Sequence, residues 1–206
     1  MHILTRWRGR RSQLLVVVAF ACLTSAVAAQ GRQKGLAEYD DTFRKYSKRY
    51  FGPTFDWRLF KAQGITESNL DPAAKSRAGA RGLMQLMPST FRQIRSDNED
   101  LRAIEDPELN IAAGIEYDRK LWLLWESDSV MAHRNEFMFG SYNAGRRTIL
   151  RAQMFARRSK LDPTAWDNIR TVAPRVPRWR HRETLEYIER IAAARATLNP
   201  PGLKAK

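Results

Sequence analysis

The segment from Asp71 to Pro88 interrupts a chain that otherwise carries helical patterns. Glycine and proline recur within it among small residues, and both residues interrupt helices and strands. We therefore predict a loop or a short hairpin over this segment. On both sides of it, apolar residues recur at intervals of three and four, which is the period of an amphipathic helix. The sequence thus predicts a mainly α fold, a helical domain with one small hairpin or loop excursion.

Helices are predicted wherever the three-and-four spacing continues without a breaker. The first lies in residues 31–52 and ends at Gly52–Pro53, and Asp56 caps the second, over Trp57–Ser68. Residues 162–180 contain three prolines and are predicted to be irregular. The remaining helices are predicted over residues 89–94, 108–125, 137–144, 148–156 and 183–198.

Glu67 is the candidate catalytic residue of the chain. It falls at the end of the second predicted helix, just before the glycine-rich segment, whose apolar residues can desolvate a carboxyl group and raise its pKa. Acid-catalysed cleavage of a glycosidic bond requires a carboxylic acid that stays protonated near neutral pH. The acids nearest in sequence, Asp56 and Asp71, are interpreted as a helix cap and a turn residue. A mechanism with a single acid is therefore favoured.

Residues 1–29 are predicted to be a signal peptide. Four arginines precede the apolar run Leu14–Leu23, which is shorter than the ~20 residues of a spanning helix. Cys22, the only cysteine, lies in this segment, so the exported chain is expected to have no disulfide. The domain prediction continues with a helical N-terminal extension over 30–52, a catalytic domain over 53–198 and a disordered tail over 199–206.

The chain is strongly basic, with a formal net charge of +14, and removal of the four signal-peptide arginines leaves +10. Such a charge suits nucleic acid or an acidic polymer such as a cell wall or an anionic membrane. Export and the lack of a recognised nucleic-acid motif argue against nucleic acid as the partner.

Four motifs follow one another along the chain: Glu67–Ser68, Gly82–Pro88, Tyr142–Gly145 and Glu183–Ile188. Their order and spacing resemble the catalytic domain of the soluble lytic transglycosylases, a goose-lysozyme-like family that acts on peptidoglycan. The resemblance covers about residues 50–195 and implies a lysozyme-like α+β fold. The chain departs from the family pattern at Ser141, where alanine is usual, and at Gly64, where a bulkier helix residue is common.

The resemblance implies roles for residues that are far apart in sequence. Glu67 matches the catalytic acid/base of the family. The implied substrate-binding residues are Ser76, Gln85, Met87, Tyr142, Asn143, Glu183 and Tyr187. The first three fall where the family lines its sugar cleft, and the next two match a pair that approaches the acid and the N-acetyl groups of the substrate. The last two belong to a motif whose tyrosine closes over the acid.

The implied activity is cleavage of the β-1,4 bond between N-acetylmuramic acid and N-acetylglucosamine without water, leaving 1,6-anhydromuramyl ends. One glutamate serves as acid and then as base. The alternatives are a muramidase that hydrolyses the same bond, a non-catalytic wall-binding or secretion scaffold on the same fold, and a basic nucleic-acid binder.

No cofactor is expected, and no metal site is predicted because the histidines His133 and His181 are isolated in the sequence. The implied partner is the glycan strand of peptidoglycan, and the chain is expected to be a monomer in the periplasm of a Gram-negative bacterium. The sequence leaves open whether the chain associates with a membrane or docks on a secretion, pilus or flagellar machinery.

Overall fold

Helices form nearly all of the regular structure in the computed structural model, which describes residues 37–126 and 130–198. The α-helices of the described residues are α1 (Asp40–Phe51), α2 (Arg58–Ser68), α3 (Pro88–Arg95), α4 (Pro107–Leu124), α5 (Arg134–Ala144), α6 (Arg146–Arg158), α7 (Trp166–Val172) and α8 (His181–Thr197). Short 3-10 helices cover Met131–His133 and Ala173–Arg175. The described residues from Asp41 onward form one compact unit. The mainly α prediction is confirmed.

The predicted helix positions agree with the structure, except in one segment. The first helix is observed over Asp40–Phe51, while residues 31–36 lie outside the described residues. The predicted signal peptide, residues 1–29, and the predicted tail, residues 199–206, also lie outside them. None of the described helices combines the length and the apolar character that a membrane span requires.

The prediction that residues 162–180 are irregular is wrong. Helix α7 forms there and continues into the 3-10 helix Ala173–Arg175. Trp166, Ile169 and Val172 are buried and recur every third residue, so they form the apolar face of α7. None of the prolines lies inside α7: Pro163 precedes it, Pro177 follows the 3-10 helix, and Pro174 occupies an initial position of that 3-10 helix, where its missing N–H is not needed.

Helix α5 lies at the centre of the packing, in contact with α4, α6 and α8. Its residues Phe137, Met138 and Phe139 are buried in the core. On the same helix the buried Ser141 hydroxyl accepts a 3.0 Å hydrogen bond from the indole N–H of Trp125. Ser141, a departure from the family pattern, thus provides a buried tryptophan with the acceptor that an alanine lacks.

Helix α2 packs most extensively on α8, and Gly64 lies in the buried part of α2. A Cβ atom on this glycine would lie 3.0 Å from the Leu70 side chain and 3.1 Å from Phe43. Gly64 is therefore a site of close approach between α2 and neighbouring side chains. Helix α2 ends directly after Ser68, because Asn69 and Leu70 adopt left-handed backbone conformations.

The excursion between α2 and α3 carries isolated antiparallel bridges, Lys75 to Arg81 and Arg81 to Leu86. It is fixed to α4 by the fully buried Asn110, whose Oδ1 accepts from the Met84 N–H at 2.8 Å. The Asn110 amide also donates to the Arg81 carbonyl at 3.0 Å. A Cβ atom on Gly82, which has φ +74, would lie only 2.6 Å from Asn110 Cγ. Only glycine therefore fits beside this anchor.

Candidate active site

Glu67 lies in the last turn of α2, half-buried, where the helix meets the excursion. Its Oε1 accepts a 2.7 Å hydrogen bond from the hydroxyl of Tyr187, which is buried on α8. These residues are 120 positions apart in sequence, so the packing of α2 on α8 creates the contact.

The pKa of Glu67 is raised from its ordinary value of 4.5 to about 7. Burial is the largest cause, since a desolvated carboxylate is disfavoured. The hydrogen bond from Tyr187 and the positive charge of Arg190 act in the opposite direction and lower the pKa. A pKa near the working pH lets one carboxyl group both donate and accept a proton.

The excursion is tied to the helices on both sides of Glu67. The Tyr142 hydroxyl on α5 donates a 2.7 Å hydrogen bond to the Met84 carbonyl. The Ser68 hydroxyl, next to Glu67, donates to the Leu83 carbonyl at 2.9 Å. Side chains of α2 and α5 thus fix the backbone of the excursion beside the acid.

The Gln85 side chain stabilises the excursion through hydrogen bonds to the backbone of the same segment. Its backbone is left-handed, with φ +44, and its side-chain amide donates to the Gly82 carbonyl at 2.9 Å and to the Ala74 carbonyl at 3.2 Å. A polar residue in an apolar run needs partners where it is buried, and the half-buried Gln85 finds them in its own loop.

Asn143 is held by a chain of side-chain hydrogen bonds. The indole N–H of Trp179 donates to the Thr184 hydroxyl at 3.0 Å, and that hydroxyl donates to Asn143 Oδ1 at 2.8 Å. The Asn143 oxygen is therefore occupied by Thr184, while its NH2 group has no protein acceptor among the described hydrogen bonds.

The tyrosines beside Glu67 stay protonated well above neutral pH. The pKa values of Tyr142 and Tyr187 are raised, first by burial and next by the negative charge of Glu67. Tyr117 packs against Tyr142 with ring centroids 5.3 Å apart. Both phenols therefore act as hydrogen-bond donors.

Three of the sequence-predicted site residues make their contacts elsewhere. Ser76 is exposed, and its hydroxyl accepts the Ala80 N–H at 3.0 Å within a turn. Met87 is 39% exposed directly before α3. Glu183 is exposed and pairs with Arg180 at 3.0 Å. Among the sequence-predicted site residues in the described part of the chain, a hydrogen bond to Glu67 is made by Tyr187, and not by these three or by Gln85, Tyr142 and Asn143.

Comparison with known proteins gives the family. The model of the transglycosylase SLT domain matches residues 41–163, which is more than half of the chain. The chain belongs to this family. The matched residues include Glu67 and the excursion, together with Tyr142 and Asn143.

Curated relatives of this SLT domain include the membrane-bound lytic murein transglycosylases F of Pseudomonas putida, strain GB-1, and Vibrio campbellii. The first is 31% identical over 72% of this chain and the second 28% identical over 83%. The chain spans only 29% and 30% of the lengths of these relatives.

The fold is also that of a known structure, the 70-kDa soluble lytic transglycosylase of Escherichia coli. The two chains superpose with a TM-score of 0.58 at 24% identity, over 78% of this chain and 25% of that one. This likeness establishes the fold.

One carboxyl group near the candidate site of the SLT domain, that of Asp118 on α4, was not predicted from the sequence. It is fully buried, and its charge interaction with Glu67 helps to raise its pKa. The spacing of the helix could have revealed it, because Asp118 follows Ile111 and Ile115 on the same buried face of α4. A carboxyl group on an apolar helix face is expected to be buried, and acidic residues are rarely buried without a partner.

The acids considered from sequence have other partners. Asp56 accepts the Arg58 N–H at 3.2 Å and forms an ion pair with Arg195. Asp71 accepts the Ala73 N–H at 2.9 Å in a turn. The acid that interacts with Glu67 is instead Asp118, which comes from a helix distant in sequence and is fully buried, so a mechanism with a single catalytic acid stays a prediction.

No group of three or more histidine, cysteine or acidic side chains in the described part of the SLT domain is arranged to hold a metal ion. The candidate site consists of the half-buried acid Glu67, the phenols of Tyr142 and Tyr187, amides fixed by hydrogen bonds, and a second acid, Asp118, in the core.

Proposed function

We propose that this chain is a peptidoglycan lytic transglycosylase that cleaves the β-1,4 bond between N-acetylmuramic acid and N-acetylglucosamine without water. The observation that carries the proposal is Glu67, half-buried with a pKa of about 7 and oriented by Tyr187. Membership of the SLT family and the names of the curated relatives support it.

In the first step, protonated Glu67 donates its proton to the oxygen that bridges the two sugars. The bond from that oxygen to C1 of the muramyl residue breaks, and the N-acetylglucosamine side leaves as an alcohol. An oxocarbenium-like centre or an oxazolinium formed with the N-acetyl oxygen carries the positive charge. The carboxylate left on Glu67 is stabilised by the hydrogen bond from Tyr187 and by the charge of Arg190.

In the second step, the Glu67 carboxylate accepts the proton of the muramyl 6-hydroxyl. The 6-oxygen bonds to C1, which closes the 1,6-anhydro ring and returns the acid to its protonated form. No water is consumed, and no atoms are gained or lost between substrate and products. A pKa of about 7 suits both steps, because neither protonation state of Glu67 is strongly favoured near neutral pH.

The remaining residues are proposed to bind the glycan around Glu67. The free NH2 group of Asn143 suits an acetamido carbonyl oxygen, since its oxygen is already engaged by Thr184. Tyr142 and Gln85 hold the excursion along which a glycan strand is proposed to lie. The exposed side chains of Ser76, Met87 and Glu183 are proposed to contact sugars further along the strand.

Hydrolysis of the same bond commonly uses a second carboxylate, which activates water or attacks C1 directly. Asp118 is the acid that interacts electrostatically with Glu67, and its fully buried side chain cannot touch a substrate in a cleft. This burial favours the non-hydrolytic reaction over a muramidase.

Mass spectrometry of digested sacculi tests the proposal. The expected products carry anhydromuramyl ends, which are one water lighter than the reducing ends that a muramidase leaves. Reducing ends in place of anhydro ends would make the chain a muramidase. Binding of sacculi without any released product would make it a scaffold.

The cellular setting is proposed from the same observations. The basic chain suits the carboxylates of the wall polymer, and the predicted signal peptide suits export to the periplasm. Fractionation of cells that express the full chain tests this setting. Recovery of the chain in the cytoplasm alone would contradict it.

A further inference from the structure

Asp118 on α4 faces Gln63 on α2 in the protein interior, and both residues are fully buried. Their one hydrogen bond runs from Gln63 Nε2 to Asp118 Oδ1 and is long, at 3.5 Å. The other polar atom of each side chain, Gln63 Oε1 and Asp118 Oδ2, is buried and has no hydrogen-bond partner. Two complementary side chains thus meet with half of their polar atoms unpaired.

An ionised Asp118 fits this environment poorly. A buried carboxylate needs a cation or several short hydrogen bonds to replace the water that it has lost. One long bond from a neutral amide does not provide this. With Asp118 ionised, Gln63 Oε1 would also remain an acceptor beside another acceptor, and buried acceptors without donors are rare in folded proteins.

A protonated Asp118 resolves both problems, because its Oδ2 becomes a hydroxyl donor. We propose that Asp118 is a positioning residue for Glu67: as a neutral acid it donates its Oδ2–H to Gln63 Oε1 and closes a two-bond pair that fixes α2 against α4. Each side chain then donates once and accepts once. The strong rise in the pKa of Asp118, caused first by its burial, agrees with this assignment.

The pair reaches Glu67 through helix geometry. Gln63 lies four residues before Glu67 on α2, so the two side chains share one helix face a single turn apart. A fixed Gln63 therefore fixes the end of α2 that carries the acid. Small displacements of a catalytic group are enough to slow a reaction strongly.

The titratable groups around the pair come from four helices. Tyr117 lies next to Asp118 on α4, Glu67 on α2, Tyr142 on α5 and Tyr187 on α8, and the charge of Asp118 would act on all three tyrosines. An ionised Asp118 would raise the pKa of Glu67 further and leave less of it ionised at neutral pH. A neutral Asp118 lets Glu67 titrate alone.

Infrared spectroscopy of the full chain tests the protonation state without any assay of activity. In the Glu67→Gln chain at neutral pH we expect the carbonyl stretch of a protonated carboxylic acid, because Asp118 remains buried there. The band should disappear in Glu67→Gln/Asp118→Asn. It should persist in the matched control Glu67→Gln/Asp97→Asn, since the Lys120 ammonium lowers the pKa of the exposed Asp97. Absence of the band in Glu67→Gln, or its persistence without Asp118, overturns the proposal.

Kinetics test the positioning role, and this part of the test rests on the proposed function. Asp118→Leu removes the donor, so kcat on sacculi should fall by up to about 100-fold. Asp118→Asn should rescue kcat, because its amide donates to Gln63 Oε1 as the neutral acid does, and the pH midpoint of kcat should match that of the unaltered chain.

Several kinetic results would overturn the positioning role. An Asp118→Asn chain that does not fold, that is as slow as Asp118→Leu, or whose midpoint moves by about one pH unit would show that the charge of Asp118 is required. An Asp118→Leu chain with unaltered kcat would show that the pair positions nothing. Inactivity of the unaltered chain would contradict the proposed function, while the infrared result would still decide the state of Asp118.

Discussion

The hydroxyl of Tyr187 donates a 2.7 Å hydrogen bond to Oε1 of Glu67, joining α8 to the end of α2. The bond opposes the main effect of burial, since burial raises the pKa of Glu67 while the phenol stabilises its ionised form. The balance leaves the pKa at about 7. The contact therefore bears on both halves of the proposed cycle, in which Glu67 is first an acid and then a base.

Removal of this phenol is expected to shift the pH profile upward. In Tyr187→Phe the Glu67 carboxylate loses a donor, so its pKa rises and the protonated form that starts the proposed cycle persists to a higher pH. A hydrogen bond to a charged group contributes about 1.5–3 kcal/mol, which corresponds to about one to two pH units. The pH dependence of kcat on sacculi measures the shift. Tyr142→Phe is the matched control, because its hydroxyl bonds the Met84 carbonyl, and its midpoint should stay in place.

The Arg190 guanidinium is expected to have a smaller effect in the same direction. Its charge lowers the pKa of Glu67, so Arg190→Gln should raise the midpoint of the profile. Arg190 is exposed, and water and salt screen its charge, so we expect a shift below about one pH unit that shrinks as ionic strength increases. Arg182→Gln, an exposed arginine on the same helix, is the control. Equal shifts in the two variants would assign the effect to net charge instead of to Arg190.

The raised pKa of Glu67 also predicts a pH-dependent stability. The folded protein favours protonated Glu67, so this residue favours folding below its ordinary pKa of 4.5. That contribution is lost as pH rises through about 7. Glu67→Gln cannot ionise, and its free energy of unfolding should exceed that of the unaltered chain at pH 8 by about 3 kcal/mol.

Urea unfolding at pH 5 and pH 8 measures this difference, which should be small at the lower pH and larger at the higher one. Glu186→Gln is the control, because Glu186 is exposed on α8. A difference between Glu67→Gln and the unaltered chain that stays constant with pH would contradict the raised pKa of Glu67.

The sequence predicts the position of Glu67 well, because that position depends on local signals. The apolar spacing of α2 and the breakers that follow it lie within about thirty residues of the acid. The error over α7 is also local. Prolines disrupt helix interiors, but here none of them lies inside α7, and the buried spacing of Trp166, Ile169 and Val172 is the stronger signal.

The inner part of the site could not be predicted in the same way. Whether Asp118 faces solvent or core depends on how α4 packs, and its partner Gln63 lies 55 positions away. Asn110 poses the same difficulty, because its side chain makes three hydrogen bonds to backbone atoms of Arg81, Met84 and Ile104, which lie outside its own helix. The partners of a polar residue on the buried face of a helix can be predicted only when the element that packs against that face is known.

The hydrogen-bond chain from Trp179 through Thr184 to Asn143 gives a last prediction. Thr184→Val keeps the shape of the buried side chain but leaves the Trp179 donor and the Asn143 acceptor unpaired, so the free energy of unfolding should fall by about 1–3 kcal/mol. An unrestrained Asn143 should also raise KM on sacculi more than it lowers kcat, since it is proposed to bind the acetamido group. Thr184→Ser keeps the hydroxyl and should retain a KM near that of the unaltered chain. An unchanged KM in Thr184→Val would exclude a binding role for this restrained amide.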